Sequence, residues 1–141
     1  MTVRTIDRSS LEDKFNIPNL AYDLFVLSER HITNPKIVED CMMKIYGEPI
    51  LRIVGEICEI IDNANFINLF DEEQRIERKR QQHLAILKTR NLLTRIFILN
   101  TRKNISNNKL SFWISSIEEL QTKLRSWIKS DENRIKKGSD V

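Results

Sequence analysis

Apolar residues recur along this chain at helical steps, and strand-like alternation is nowhere sustained. The most regular seam lies towards the C-terminal end, where Leu110, Trp113, Ile117, Leu120, Leu124 and Trp127 follow at steps of 3, 4, 3, 4 and 3. That period predicts a helix over 106–130 with one continuous apolar stripe. Ser106 can cap its start through the side-chain hydroxyl, and Asn107-Asn108 is turn-forming chemistry. A stripe holding two tryptophans is costly to leave in water, so it demands other helices to face it.

The preceding chain supplies them. Asn16 or Asn19 can cap a first helix around Pro18, with Leu20, Leu24, Phe25 and Leu27 on its apolar face and an end near His31. Ile32 to Pro35 reads as a turn whose proline opens a second helix to about Asn63, with Tyr46, Ile50, Ile53, Ile57, Ile60 and Ala64 as its seam. Pro49 inside that helix removes a backbone donor and predicts a bend over 44–49. The connection 65–70 is unusually apolar for a loop and is expected over one end of the core or against another subunit. Asp71-Glu72-Glu73 places negative charge in the first turn of a third helix, which runs to about Asn104. Its Leu84, Leu87, Leu92, Leu93, Ile96, Phe97 and Leu99 spread over a wide arc, which predicts contacts on several sides and hence a homo-oligomer. Residues 1–15 read as a flexible arm, 16–130 as the helical bundle and 131–141 as a basic polar tail.

Composition narrows the class without changing the outline. Only 3 Gly and 3 Pro punctuate 141 residues, which favours long helices, short loops and an all-α fold in one domain. No stretch approaches the length of a membrane span and no N-terminal apolar leader is visible, so a cytoplasmic, bacterial setting is the expectation, with no membrane partner. Cys41 and Cys58 sit in apolar surroundings without a CxxC spacing and are expected to be reduced core thiols. Charge is distributed unevenly. Residues 1–70 carry 7 Lys/Arg against 11 Asp/Glu, a net of −4, whereas 71–141 carry 16 against 9, a net of +7. A basic second half points to an anionic partner.

Several segments resemble one family. Ile105-Ser106-Asn107-Asn108-Lys109 followed by Ile117, Glu119, Leu120, Leu124 and Trp127-Ile128-Lys129 resembles the last-helix signature of the accessory variability determinant proteins of diversity-generating retroelements. Related four-helix-bundle proteins are encoded in intervening sequences of bacterial large-subunit ribosomal RNA. Asn34-Pro35-Lys36, Gly47-Glu48-Pro49-Ile50 and Ile60-Ile61-Asp62-Asn63-Ala64-Asn65 are similar to the second-helix pattern of the same family. The resemblance covers about residues 17 to 130. It implies an antiparallel four-helix bundle assembling into a ring, typically a pentamer, that binds RNA or DNA and the element's reverse transcriptase without catalysis of its own and without a cofactor.

The candidate binding residues lie on the third helix. Lys88, Arg95 and Arg102 are spaced by seven and line one face over about 21 Å of axis. Arg75, Arg78, Lys79 and Arg80 extend that surface towards the helix start, and Lys103 follows its end. Such a surface would neutralise phosphates with little regard to sequence; the plainer reading is a solvated bundle face. Arg78 and His83 also match the Arg-x4-6-His spacing of HEPN-type ribonucleases, themselves helical bundles, in which a histidine acts at a scissile phosphate. A partly exposed helix histidine is the plainer reading there. His31 has no carboxylate or cysteine at metal spacing and no Glu-x-x-His pair exists, so no metal site is expected. Tyr46, Trp113 and Trp127 lie on apolar seams and read as core side chains before stacking platforms.

Overall fold

A computed structural model describes the backbone of residues 8–139 and the side chains of residues 16–138. Within them lie four long helices, α1 (Arg8–Ile32), α2 (Glu48–Phe66), α3 (Glu72–Arg102) and α4 (Asn107–Ser139), and no strand. The fold is all-α, as the periodicity predicts. α1 packs on α2, α2 on α3, α3 on α4 and α4 on α1, so the helices share one core.

The core is built from the inward stripe of each helix. α2 contributes Ile50, Val54, Ile57, Ile61 and Ala64, at steps of 4, 3, 4 and 3. α4 contributes Trp113, Ile117, Leu120, Leu124 and Ile128. Trp127 is half-buried against the core edge, displaced from the inner stripe by its neighbour Ile128. Burial of this apolar area, at roughly 25 cal/mol per Å², is the main force holding the helices together.

Helix ends follow local chemistry. Asp71 Oδ1 accepts from the Gln74 backbone N–H at 3.1 Å, capping α3 where the sequence places its start. Ser106 Oγ accepts from the Lys109 N–H at 3.4 Å and its carbonyl from the Leu110 N–H at 2.9 Å, which marks the start of α4. α4 does not stop near residue 130. It continues to Ser139 because Asp131, where a polar tail was expected to begin, is itself buried and bonded to α3. At the other end α1 already includes Arg8, so the expected arm covers 1–7, outside the described residues, and a first stretch of helix.

The entry to α2 departs most from expectation. Pro35 does not open a helix: Asn34 Oδ1 takes the Lys36 N–H at 3.0 Å, and the Asn34 carbonyl takes those of Ile37 and Val38 at 2.9 Å. This tight turn buries Ile37 and Val38. A short 3₁₀ turn (Asp40–Met42) and a π-helical turn (Met43–Gly47) then lead into α2. The expected bend is thus a change of helix type, and Pro49 falls in the first turn of α2, where its missing N–H costs nothing. Gly47 is buried there, and a Cβ on it would stand 2.6 Å from Met43 Sδ and 2.9 Å from Ile32 Cγ2.

Candidate nucleic-acid interface

On α3 the buried positions are Arg78, Gln82, Ala85, Thr89, Leu92, Ile96 and Leu99, a strict 4-3 alternation. The expected wide apolar arc is therefore one buried stripe, with Leu84 and Leu93 half-buried at its flanks and Leu87 and Phe97 exposed. The charge surface must be read around this stripe.

Arg78 lies on it, and its assignment to the surface is corrected. Only 6% exposed, it donates from Nε to Asp131 Oδ2 at 2.7 Å and from Nη2 to Asp131 Oδ1 at 3.1 Å. Its Nη1 donates to the carbonyls of Ile67 at 3.0 Å and Ala64 at 3.4 Å, and the guanidinium stands 5.1 Å from the Trp127 ring centre. Gln82 Nε2 adds a bond to Asp131 Oδ2 at 2.8 Å. A bidentate fork and satisfied donors are what a buried ion pair requires, and they leave nothing for a phosphate. The signal was present in the sequence: Arg78 continues the α3 stripe and Asp131 the α4 stripe, each at the next helical step.

The Arg78–His83 spacing of the ribonuclease reading does not bring the two side chains together. His83 is exposed, and five residues place it about 140° around α3 from the buried Arg78. The two do not converge on one surface.

The remaining cations divide into two groups. Lys79 pairs with Glu132 at 3.2 Å, Arg80 with Glu77 at 2.7 Å, Lys88 with Glu56 at 3.4 Å and Lys103 with Glu39 at 2.8 Å. Hydrogen bonds from Arg80 and Gln81 hold the Glu77 carboxyl below its usual range, and Lys103 does the same for Glu39. Arg75, Arg90, Arg95 and Arg102 make no ion pair among the described residues; Arg90, Arg95 and Arg102 are exposed, Arg75 half-buried. Arg75 borders a cavity of about 20 Å³ with Leu69, Gln82 and Ile128, room for about one water and no larger ligand.

Comparisons with known protein families, curated proteins and solved structures give no match.

Other sequence candidates resolve individually. Trp113 is fully buried and donates from Nε1 to Ser28 Oγ at 2.9 Å, a core role as expected. His31 is buried too, its ring 4.8 Å from that of Trp113, and its Nε2 has no hydrogen-bond partner. Burial, with Lys109 and Arg30 nearby, lowers its pKa below the ordinary 6.5. Cys58 is half-buried, its thiol facing the Ala21 carbonyl at 3.4 Å and pushed up to about 11 mainly by burial. Cys41 is exposed on the 3₁₀ turn, not in the core, because the helix expected to bury it does not form there. Among the described residues no three His, Cys, Asp or Glu side chains gather as a metal site, and no helix is long and apolar enough to cross a membrane. In the connection 65–70, Leu69 tucks into the core whereas Phe66, 87% exposed, and Phe70 do not.

Proposed function

We propose that this chain is a non-enzymatic nucleic-acid-binding scaffold, of the kind that its resemblance to the accessory proteins of diversity-generating retroelements implies. The observation that carries the reading is the pair Arg95 and Arg102, two exposed, unpaired arginines in line on α3 within a half-chain of net charge +7. Exposed guanidinium groups free of carboxylates are available to phosphates, which attract them without sequence preference. The reading extends to an antiparallel bundle, a cytoplasmic, bacterial homo-oligomer, a pentameric ring on the resemblance, and a reverse transcriptase as protein partner. The pairs Arg78–Asp131 and Thr89–Gln121 support the antiparallel direction of α3 and α4, since one number rises as the other falls. Exposed Phe66, Phe70, Ile76, Leu87, Phe97 and Ile98 support subunit contacts.

The test is binding of the full chain to labelled RNA and DNA at increasing salt, with cleavage followed in the same samples. Affinity that falls steeply with salt, with intact nucleic acid, is the expected result. No binding at low salt would sink the scaffold reading, and cleavage abolished by His83→Ala would replace it with the ribonuclease one. Light scattering returning a 16.7 kDa monomer would remove the oligomer.

A further inference from the structure

Three contacts fix how α3 lies beside α2 and the turns that precede it. Arg78 reaches the carbonyls of Ala64 and Ile67, Lys88 Nζ stands 3.4 Å from Glu56 Oε1, and Lys103 Nζ stands 2.8 Å from Glu39 Oε1. Position along α3 therefore rises as position along the facing segment falls. Take Lys88–Glu56 as the register mark. Arg52 lies one turn before Glu56 on the same side of α2, about 6 Å along the bundle. Arg95 and Arg102 lie about 10 Å and 21 Å along it in the same direction, each step of seven turning only about 20° about α3.

The mark divides the α2–α3 face into two zones. From the mark towards the α2–α3 connection, charges cancel: Lys88 with Glu56 and Arg80 with Glu77. Beyond it one pair, Lys103 with Glu39, closes the far end, while Arg52, Arg95 and Arg102 stand exposed and none of them is ion-paired among the described residues. Glu48, one turn before Arg52, makes no ion pair with it. We infer that Arg52, Arg95 and Arg102 form a single phosphate-contacting surface across α2 and α3, and that its ligand is a nucleic-acid duplex held by its backbone. The inference rests on the nucleic-acid reading above and adds both the surface and the strandedness.

The case for a duplex is that no exposed aromatic side chain among the described residues lies on the arginine side of α2 or α3, and that Tyr46, on the π-helical turn, is half-buried against the core. Single-strand grooves interleave cations with aromatic platforms. Here Phe97 lies about 200° around α3 from Arg95, Phe112 is on α4, and Phe66 and Phe70 flank the α2–α3 connection. The exposed apolar neighbour on the arginine side is the aliphatic Ile98. Three arginines over about 15 Å match the dense, regular charge of a duplex, which carries one phosphate per about 1.7 Å of axis.

The experiment measures binding of the full chain to a labelled mixed-sequence duplex and to its single strand over a range of salt. Two triple variants are compared, Arg52→Gln/Arg95→Gln/Arg102→Gln and Arg75→Gln/Lys79→Gln/Arg80→Gln, with helicity and melting checked by circular dichroism. The first should weaken duplex binding on the order of tenfold or more and reduce the salt slope by up to about 0.9 per arginine. The second should bind within about twofold of wild type, since two of its three cations already face carboxylates. If only the second variant loses binding, or the first loses none, the surface is wrong while nucleic-acid binding stands. Preference for the single strand, unchanged in the first variant, overturns the duplex assignment. A wild-type chain that binds neither form overturns both this inference and the reading beneath it.

Discussion

The two ends of α4 bury polar groups in opposite ways. Near its start, Trp113 gives its indole N–H to Ser28 on α1, and the neighbouring His31 is enclosed with Nε2 unpartnered. Near its other end, Asp131 accepts from both Arg78 and Gln82, and Arg78 goes on to two backbone carbonyls. One end holds a buried imidazole against the Trp113 ring with one nitrogen unpartnered; the other holds a saturated ion pair. Burial alone therefore does not predict what a polar group does to stability. The first end should respond to protons, the second to loss of a partner.

The largest effect is expected at the ion pair. Asp131→Ala leaves Arg78 charged and enclosed, and should cost about 3 to 5 kcal/mol in denaturant unfolding. The double change Arg78→Met/Asp131→Leu should recover most of that loss, because well-packed apolar groups can replace a buried pair at little cost. A double variant as unstable as the single one would show that the pair positions α4 as well as neutralising itself. At the opposite end Trp113→Ala should also cost about 3 to 5 kcal/mol, whereas Trp127→Ala, at the core edge, should cost clearly less. Equal losses would place both tryptophans in the same environment and break the contrast.

A smaller effect separates the ends by pH. His31 has its folded pKa below the unfolded 6.5, so the unfolded chain takes up protons first as pH falls. Stability should be intact above about pH 6.5 and decline as pH drops from there towards the folded value. Unfolding midpoints between about pH 7 and pH 5 check the sign, and His31→Leu should flatten that part of the profile. The least effect is expected from Lys79→Ala, which breaks a pair half open to water and should change stability by under about 1 kcal/mol. A loss comparable to that of Asp131→Ala would mean that exposure does not decide the value of these pairs.

What the sequence disclosed follows from how local each cause is. The starts of α3 and α4 were legible because Asp71 and Ser106 cap the helices that follow them. The α2 and α4 stripes were legible in part because apolar side chains repeat at helical steps: Ile50, Ile57, Ala64, Trp113, Ile117, Leu120 and Leu124 are buried, whereas Ile53, Ile60 and Trp127 are half-buried beside the buried Val54, Ile61 and Ile128. The π turn was not: Gly47 leaves the room there that Met43 of the same turn and Ile32 of α1 fill, and Pro49 alone signals only a bend. The charge asymmetry marks the second half as basic, yet it reads eight of the nine basic residues from Arg75 to Lys103 as one surface. Their separation into buried, paired and free groups depends on carboxylates up to 64 positions away, as for Lys103 and Glu39. The meeting of Arg78 with Asp131 could have been found by extending both stripes through their polar positions.

The guanidinium of Arg78 also has a consequence for motion. Helix ends ordinarily fray, because their last carbonyls lack partners and open independently of the body. Here the carbonyls of Ala64 and Ile67 are held by a side chain of α3 that is itself held by Asp131 of α4. The last turn of α2, the first turns of α3 and the turns of α4 around Asp131 are thereby joined into one block. Their amide hydrogens should share one free energy of opening in hydrogen exchange, as a single cooperative unit assembled from three distant stretches of chain.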